Sequence, residues 1–201
     1  FLGKDDNLYR INRTTRDNAG DYAKVMHSRG QKRIALAYDL RNRSFTQSWL
    51  DEFRTATEGL GALVAAEVSY ESSKDADFEG TVTKMLQSKP DGLLFISGAL
   101  DVARLAQAAR KLAPRLPSAA SEWAATEQLI DLGGEVVEGL LIVQNYDRDD
   151  ASPRFKEFSD AYFKRFQRNP GYSSVSTYDA ATVVLTALKN RKPGEPVKTA
   201  V

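Results

Sequence analysis

Apolar and polar positions change period in a regular order along this chain. Arg33–Tyr38, Gly92–Ile96, Leu116–Ala120 and Gly139–Val143 are short apolar runs, the second wholly so at Leu93, Leu94, Phe95 and Ile96. Strands covered by helices on both faces of a parallel sheet need runs of this kind. Ala62–Val68 reads as a further strand and Leu8–Arg13 as a short one. Helical spacing fills the gaps. Asn18–Ser28 sets Tyr22, Val25 and Met26 on one face, with Gly30 placed to end it. Ser44–Glu58 carries Trp49, Leu50 and Phe53 and stops at Gly59 and Gly61. Ser73–Ser88 repeats Phe78, Val82, Met85 and Leu86 at helical intervals, and Pro90 forbids continuation. Asp101–Leu112 has Val102, Leu105, Ala109 and Leu112 on one side, and a helical turn is expected near Thr126–Leu132.

Strands alternating with helices imply an α/β fold, a doubly wound parallel sheet with right-handed crossovers. The tail differs in character. Ser152–Pro153 is an N-cap followed by proline, opening a helix with Phe155, Phe158, Tyr162 and Phe166. Asn169–Pro170–Gly171 breaks it, and Ser176–Asn190 is a second helix with Ala181, Val184, Leu185 and Leu188 inward. These are extra C-terminal helices, since no strand follows to continue the winding. Asp147 to Pro153 reads as a linker.

Each of the four apolar strands runs into a polar or aromatic cluster: Asp39 to Phe45, Ser97–Gly98–Ala99, Ser121–Glu122–Trp123, and Gln144–Asn145–Tyr146. In open parallel sheets, ligands collect in the crevice beyond the carboxyl ends of the strands. Such clefts are mostly apolar with a few placed polar groups. Glu122 at that rim could accept hydrogen bonds from an ammonium group, and Trp123 offers a flat apolar wall with one N–H donor. The same pair reads equally as a helix-start glutamate with a tryptophan packed under a loop. Phe45 is either a hydrophobic staple or a ring that stacks on a ligand. Gly98–Ala99 allows close backbone approach, to open pocket volume or to start a helix. Tyr146 could hydrogen-bond a ligand or cap a hinge.

Composition narrows the chemistry. Lys and Arg total 28 against 27 Asp and Glu, so the net charge of +1 argues for neither nucleic acid nor an acidic surface. With 42% hydrophobic residues there is ample material for a core. The absence of cysteine removes disulfides, thiolate metal sites and cysteine nucleophiles together. No apolar run approaches the roughly 20 residues needed to cross a bilayer. The chain opens at Phe1 without an initiator methionine and ends on Glu195–Pro196–Val197 and four more residues without helical or turn closure, so both ends read as cut.

Catalytic patterns fail on inventory. His27 is the only histidine, at a helix end where it favours the dipole. There is no Gly-x-Ser-x-Gly elbow and no Gly-x-Gly-x-x-Gly or Walker loop. Gly59-Leu60-Gly61 precedes a strand, the wrong order for a phosphate cradle. The pairs Asp5–Asp6 and Asp149–Asp150 read as solvated loop charge.

Several segments carry a resemblance. They are Lys32-Arg33-Ile34-Ala35-Leu36-Ala37-Tyr38-Asp39, Phe78 in Asp75-Ala76-Asp77-Phe78, and Pro90-Asp91-Gly92-Leu93-Leu94. Gly133-Gly134 with Val137-Glu138-Gly139, Phe158 with Tyr162, and Tyr178-Asp179-Ala180 followed by Ala187-Leu188 continue it in order. From Tyr9 to Asn190 the chain resembles the type I periplasmic solute-binding proteins, most closely the branched-chain amino-acid (Leu/Ile/Val) binding group. That resemblance implies two α/β lobes joined by three crossing strands that close on a ligand. Residues 12–146 would form the second lobe. Residues 1–11 and 147–201 would be crossing segments and part of the first lobe, whose opening portion supplies the groups that bind a ligand carboxylate.

Residue by residue, Phe45 falls where the family often has a tyrosine contacting ligand. Gly98 or Ala99 falls where amino-acid binders can carry an aromatic. Glu122 falls where an acidic residue accepts the ligand ammonium; Trp123 and Tyr146 line the cleft by position. The resemblance implies a non-enzymatic binder of an amino acid or an aromatic or aliphatic carboxylate, without cofactor and without nucleic acid. It would be exported, periplasmic or extracellular, and would serve an ABC transporter permease or a sensor. The terminal helices would expose apolar surface that could drive homodimerisation. One alternative is the effector-binding domain of a transcriptional regulator with the same fold, which needs a helix-turn-helix that the sequence does not show. Another is an enzyme of flavodoxin-like or hydrolase type.

Overall fold

The apolar runs assemble as one parallel sheet. The computed structural model describes residues 8–201, and these divide into two compact units, Arg13–Gln144 and a second one made of the N-terminal segment to Asn12 with Asn145–Val201. The first unit holds β1 (Arg33–Asp39), β2 (Leu63–Tyr70), β3 (Gly92–Ile96), β4 (Ser118–Ala120) and β5 (Leu141–Ile142), in the order β2-β1-β3-β4-β5 with every pairing parallel. β3 lies at the centre and is buried along its whole length.

Strand alternation divides the core between two faces. Ile34, Leu36, Leu94, Ile96 and Ala119 pack against α1 (Thr15–Ser28) and α2 (Arg43–Gly59). Ala35, Ala37, Leu93, Phe95 and Ala120 pack against α3 (Phe78–Gln87), α4 (Ala99–Leu112) and α5 (Glu127–Gly133). The expected doubly wound arrangement is therefore present. The helical stripes point as their spacing requires: Tyr22 and Met26, Trp49 and Phe53, and Val82 and Met85 are all buried.

Local chemistry sets the boundaries. A capping box starts α1, with Thr14 Oγ1 accepting from the Asp17 N–H at 3.1 Å and Asp17 Oδ2 from the Thr14 N–H at 3.4 Å. Helix α3 begins at Phe78 rather than Ser73 because the Asp77 carboxylate caps it, accepting from the Gly80 N–H at 2.7 Å. At the amino ends of the strands the Asp91 carboxylate accepts from the backbone N–H groups of Lys32 (2.9 Å) and Arg33 (2.8 Å), pinning β1 to the turn before β3. Strand β2 runs two residues beyond the expected Val68, pairing Ser69 and Tyr70 with Tyr38 and Asp39. The run Gly139–Val143 pairs only at Leu141–Ile142.

The second unit is helical, with α6 (Pro153–Phe166), α7 (Tyr172–Asn190) and α8 (Val197–Ala200). Ser152 caps α6 through its side chain, and Phe158 stacks on Tyr178 at 4.2 Å between ring centroids. Three expectations fail here. The stripe Ala181, Val184, Leu185 and Leu188 of α7 does not point inward but is exposed, because no described element packs over that face. Leu8–Arg13 forms no strand: its backbone pairs with none of the described strands, and Leu8, Tyr9 and Ile11 are exposed. Apolar content alone does not make a strand without a neighbour to complete the ladder. The chain end is not bare either, because α8 closes it with the Thr199 N–H donating to the Pro196 carbonyl at 3.0 Å. Asp5–Asp6 lie outside the described residues, and Asp150 caps the turn before α6, accepting from Ser152 N–H and Oγ at 2.8 and 2.9 Å.

Candidate functional site

The strand order reverses between β1 and β3, where parallel sheets of this type open a crevice at their carboxyl ends. The loops bordering it, residues 39–45, 97–99 and 121–124, contain five of the six residues singled out in the sequence. Asp39 organises the first. Its buried Oδ1 accepts from the N–H groups of Arg41 and Ser72, each at 3.0 Å, and its carbonyl accepts from Thr46 Oγ1 at 2.9 Å. One carboxylate thus ties the loop after β1 to the loop after β2. Next to it, Tyr70 donates to Ser97 Oγ at 2.7 Å, and Ser97 Oγ lies 3.4 Å from Asp101 Oδ2. Burial pushes the Tyr70 hydroxyl pKa up, the Ser97 hydrogen bond opposes it, and the Asp101 and Asp39 carboxylates reinforce it.

The structure brings Phe45, Gly98 and Trp123 into contact. The Phe45 and Trp123 rings meet edge to face, centroids 5.7 Å apart at 79°. A Cβ placed on Gly98 would stand 3.6 Å from Trp123 Cε2 and 3.7 to 3.8 Å from Cζ2 and Nε1. Cε2 is the recessed carbon of that trio, so the approach is onto the face of the indole. The space beside Gly98 is therefore filled by Trp123 rather than left as open pocket volume. Gly98 is also the N-cap of α4. Ala99 is placed differently: its methyl group is buried in the core with Val102 and Phe78.

Glu122 opens a single 3₁₀ turn after β4 and is half-buried. Its Oε2 accepts from the indole N–H of Trp49 at 2.9 Å, 73 residues away on α2. Among the described residues Oε1 has no hydrogen-bond partner. Trp49 is fully buried, stacked on Phe53 (5.5 Å, 24°) and edge-on to Tyr22 (5.3 Å, 70°). Sequence periodicity assigns Trp49 to the core, but nothing in it signals a partner for the N–H.

Tyr22 was likewise legible only as an apolar stripe residue. Its hydroxyl donates to the Ala120 carbonyl at 2.5 Å and accepts from the Val143 N–H at 2.7 Å. It bridges β4 and β5 just beyond their last paired residues, Ala120 and Ile142. Burial drives the Tyr22 pKa upward, the Val143 N–H opposes that, and the Glu122 carboxylate adds to it.

Tyr146 is not one of this group. It belongs to the helical unit, where its ring lies 6.3 Å from Phe155. His27 sits in the last turn of α1, and α1 ends just before β1 begins, so His27 lies at the amino ends of the strands, away from the rim. Among the described residues no group of three or more His, Cys, Asp or Glu is placed to hold a metal ion.

A family profile described as periplasmic binding protein matches residues 3–200. The chain belongs to the periplasmic binding protein family. No curated protein sequence matches it. Among solved periplasmic and ABC-transporter binding proteins, it superposes on a leucine binding protein from Thermotoga maritima with a TM-score of 0.79 at 24% identity, covering 90% of this chain and 51% of that one. An ABC transporter substrate-binding protein from Sphaerobacter thermophilus gives 0.82 at 18% identity, covering 96% and 53%. A solute binding protein of an ABC transporter from R. palustris, solved with benzoate, gives 0.80 at 15% identity, covering 96% and 52%. At these identities the likeness establishes the fold, that of a type I lobe. The chain spans about half the length of these structures.

Proposed function

We propose that this periplasmic binding protein chain binds a small organic molecule, without chemical conversion, at the carboxyl-end rim of its parallel sheet. The observation that carries the reading is the Glu122 carboxylate. It stands half-buried at the rim beside the Phe45–Trp123 pair, with Oε2 held by Trp49 and Oε1 unoccupied by any described residue. A carboxylate in that setting accepts an N⁺–H donor, and charge-assisted bonds are roughly twice as strong as neutral ones. The two rings supply apolar surface for the rest of the ligand, and Gly98 lets the indole lie flat against the backbone.

The ligand class that fits is an amino acid or a related carboxylate carrying an amine. Residues 12–146 would act as the second lobe, and residues 1–11 and 147–201 as crossing segments and part of the first. Tyr146, just past the junction between the two units, would meet the ligand or cap the hinge. Ligand bridging two lobes would stabilise the closed population in proportion to its differential affinity. The parent protein would be exported and would present its ligand to an ABC permease or a sensor. Among the described residues no helix is long and apolar enough to cross a membrane.

A thermal-shift screen of amino acids, benzoate and aliphatic carboxylates tests the reading, since a ligand that binds the native state raises Tm by mass action. The expected result is stabilisation by an amino acid that Glu122→Ala abolishes. Stabilisation by simple carboxylates alone, unchanged in Glu122→Ala, would overturn the amine-acceptor assignment.

A further inference from the structure

We infer that Trp49 is a positioning residue for Glu122: its buried indole N–H holds Oε2 so that Oε1 is turned outward as the acceptor for a ligand N–H donor. This rests on the proposed binding reading, and it adds a residue that lies beneath the rim rather than on it.

The geometry supports a specific device. A glutamate side chain has three rotatable bonds, and leaving it free at a rim costs ordering entropy at the moment of binding. Here one oxygen is already fixed by a donor that cannot move. Trp49 is fully buried between the Phe53 and Tyr22 rings, and Tyr22 is itself anchored at both sides of its hydroxyl, to Ala120 on β4 and Val143 on β5. The anchoring runs from the two strand ends through two aromatic rings to a single carboxylate oxygen. An indole is a donor only, so it makes no competing demand on the ligand's own N–H groups. A tryptophan placed for packing alone leaves its N–H without a partner in an apolar core, which is costly. This one spends it on the rim carboxylate.

The chain contains two tryptophans, Trp49 and Trp123, so its indole N–H region in a ¹H–¹⁵N spectrum holds two cross-peaks. The expected Trp49 peak is shifted downfield and exchanges slowly, because its N–H is buried and donates to a carboxylate at 2.9 Å. Glu122→Gln, which replaces the charged acceptor with a neutral one, should move that peak upfield while the amide spectrum persists. If the Trp49 peak is unmoved in Glu122→Gln, the positioning role is wrong.

Adding L-leucine and, separately, 4-methylpentanoate, its analogue without the amine, then separates the two claims. Movement of the Trp49 peak with L-leucine only supports both. An upfield move of the Trp49 peak in Glu122→Gln, with no movement of the wild-type peak for either probe, retains the fixed Oε2 and overturns Oε1 as the ligand's acceptor. Trp49→Phe keeps the ring and deletes the donor; binding of L-leucine should weaken by about tenfold, with that of 4-methylpentanoate unchanged. Equal weakening of both probes would mean a packing role alone. Should Trp49→Phe not fold, the Glu122→Gln spectra decide.

Discussion

The two compact units solve the burial problem differently. Between Arg13 and Gln144 most apolar stripe residues pack on a face of the sheet, although Leu112, expected inward on α4, stays exposed; Trp49, Phe53, Phe95, Met26 and Met85 are all sealed from solvent. In the helical unit, among its described residues, only Pro170 and Val175 are buried. Phe163, Phe166, Val184, Leu185 and Leu188 remain between 41% and 65% exposed. Amphipathic periodicity makes a helix, but a sheet beneath it makes a core. The α/β unit therefore has a core of its own, and its rim loops are held from below by the buried Asp39 and Trp49 and the part-buried Tyr70.

The sharpest way to break this contrast is to empty one position in the sealed unit. Phe95→Ala, on the central strand β3, should cost about 3–5 kcal/mol in equilibrium denaturant unfolding. A loss below about 1 kcal/mol would mean that the α/β core is not the cooperative unit.

Alkali probes the same unit through two tyrosine hydroxyls, Tyr22 buried and Tyr70 part-buried. Tyr22 and Tyr70 both have pKa values raised above the ordinary 10.0. Above that pH the unfolded chain releases protons that the folded chain keeps. Their contribution is thus fully present below pH 10 and falls as pH rises further, by about 1.4 kcal/mol per pH unit for each tyrosine. Chemical unfolding at pH 9, 10 and 11 should show this loss, and Tyr70→Phe should reduce its slope. An unchanged slope in that variant would contradict the burial assigned to Tyr70.

Thr14→Ala removes the capping box of α1 and should cost about 1 kcal/mol, read as a shift in the unfolding midpoint. Leu185→Ala, on the exposed face of α7, should change stability by no more than about 0.5 kcal/mol. A loss comparable to that of Phe95→Ala would show that the α7 face is covered in solution.

Much of the fold was legible in the sequence because its signals are local. The run Leu93–Ile96 could only be a fully buried strand, and helical spacing correctly turned Trp49, Phe53, Val82 and Met85 inward. Legibility failed where the outcome depends on a distant partner. Leu8–Arg13 has strand-like composition but no neighbouring strand, and Gly139–Val143 pairs over two residues, beyond which the Tyr22 hydroxyl bridges Ala120 and Val143. The rim loops are visible in the sequence as polar clusters, and these contain Phe45, Gly98 and Trp123. Their organisation is not, because the Trp49–Glu122 and Asp39–Ser72 bonds join residues with no shared period or motif.

If the reading is right, the carboxyl ends of the strands, not the amino ends, receive the ligand. Hydrogen exchange with whichever amino acid or carboxylate raises Tm most tests it directly. Slowed exchange is expected at residues 97–99 and 121–124, with the amino-end turns at residues 30–32 and 88–91 unchanged. Protection confined to those amino-end turns, or none at the rim despite a raised Tm, would contradict it.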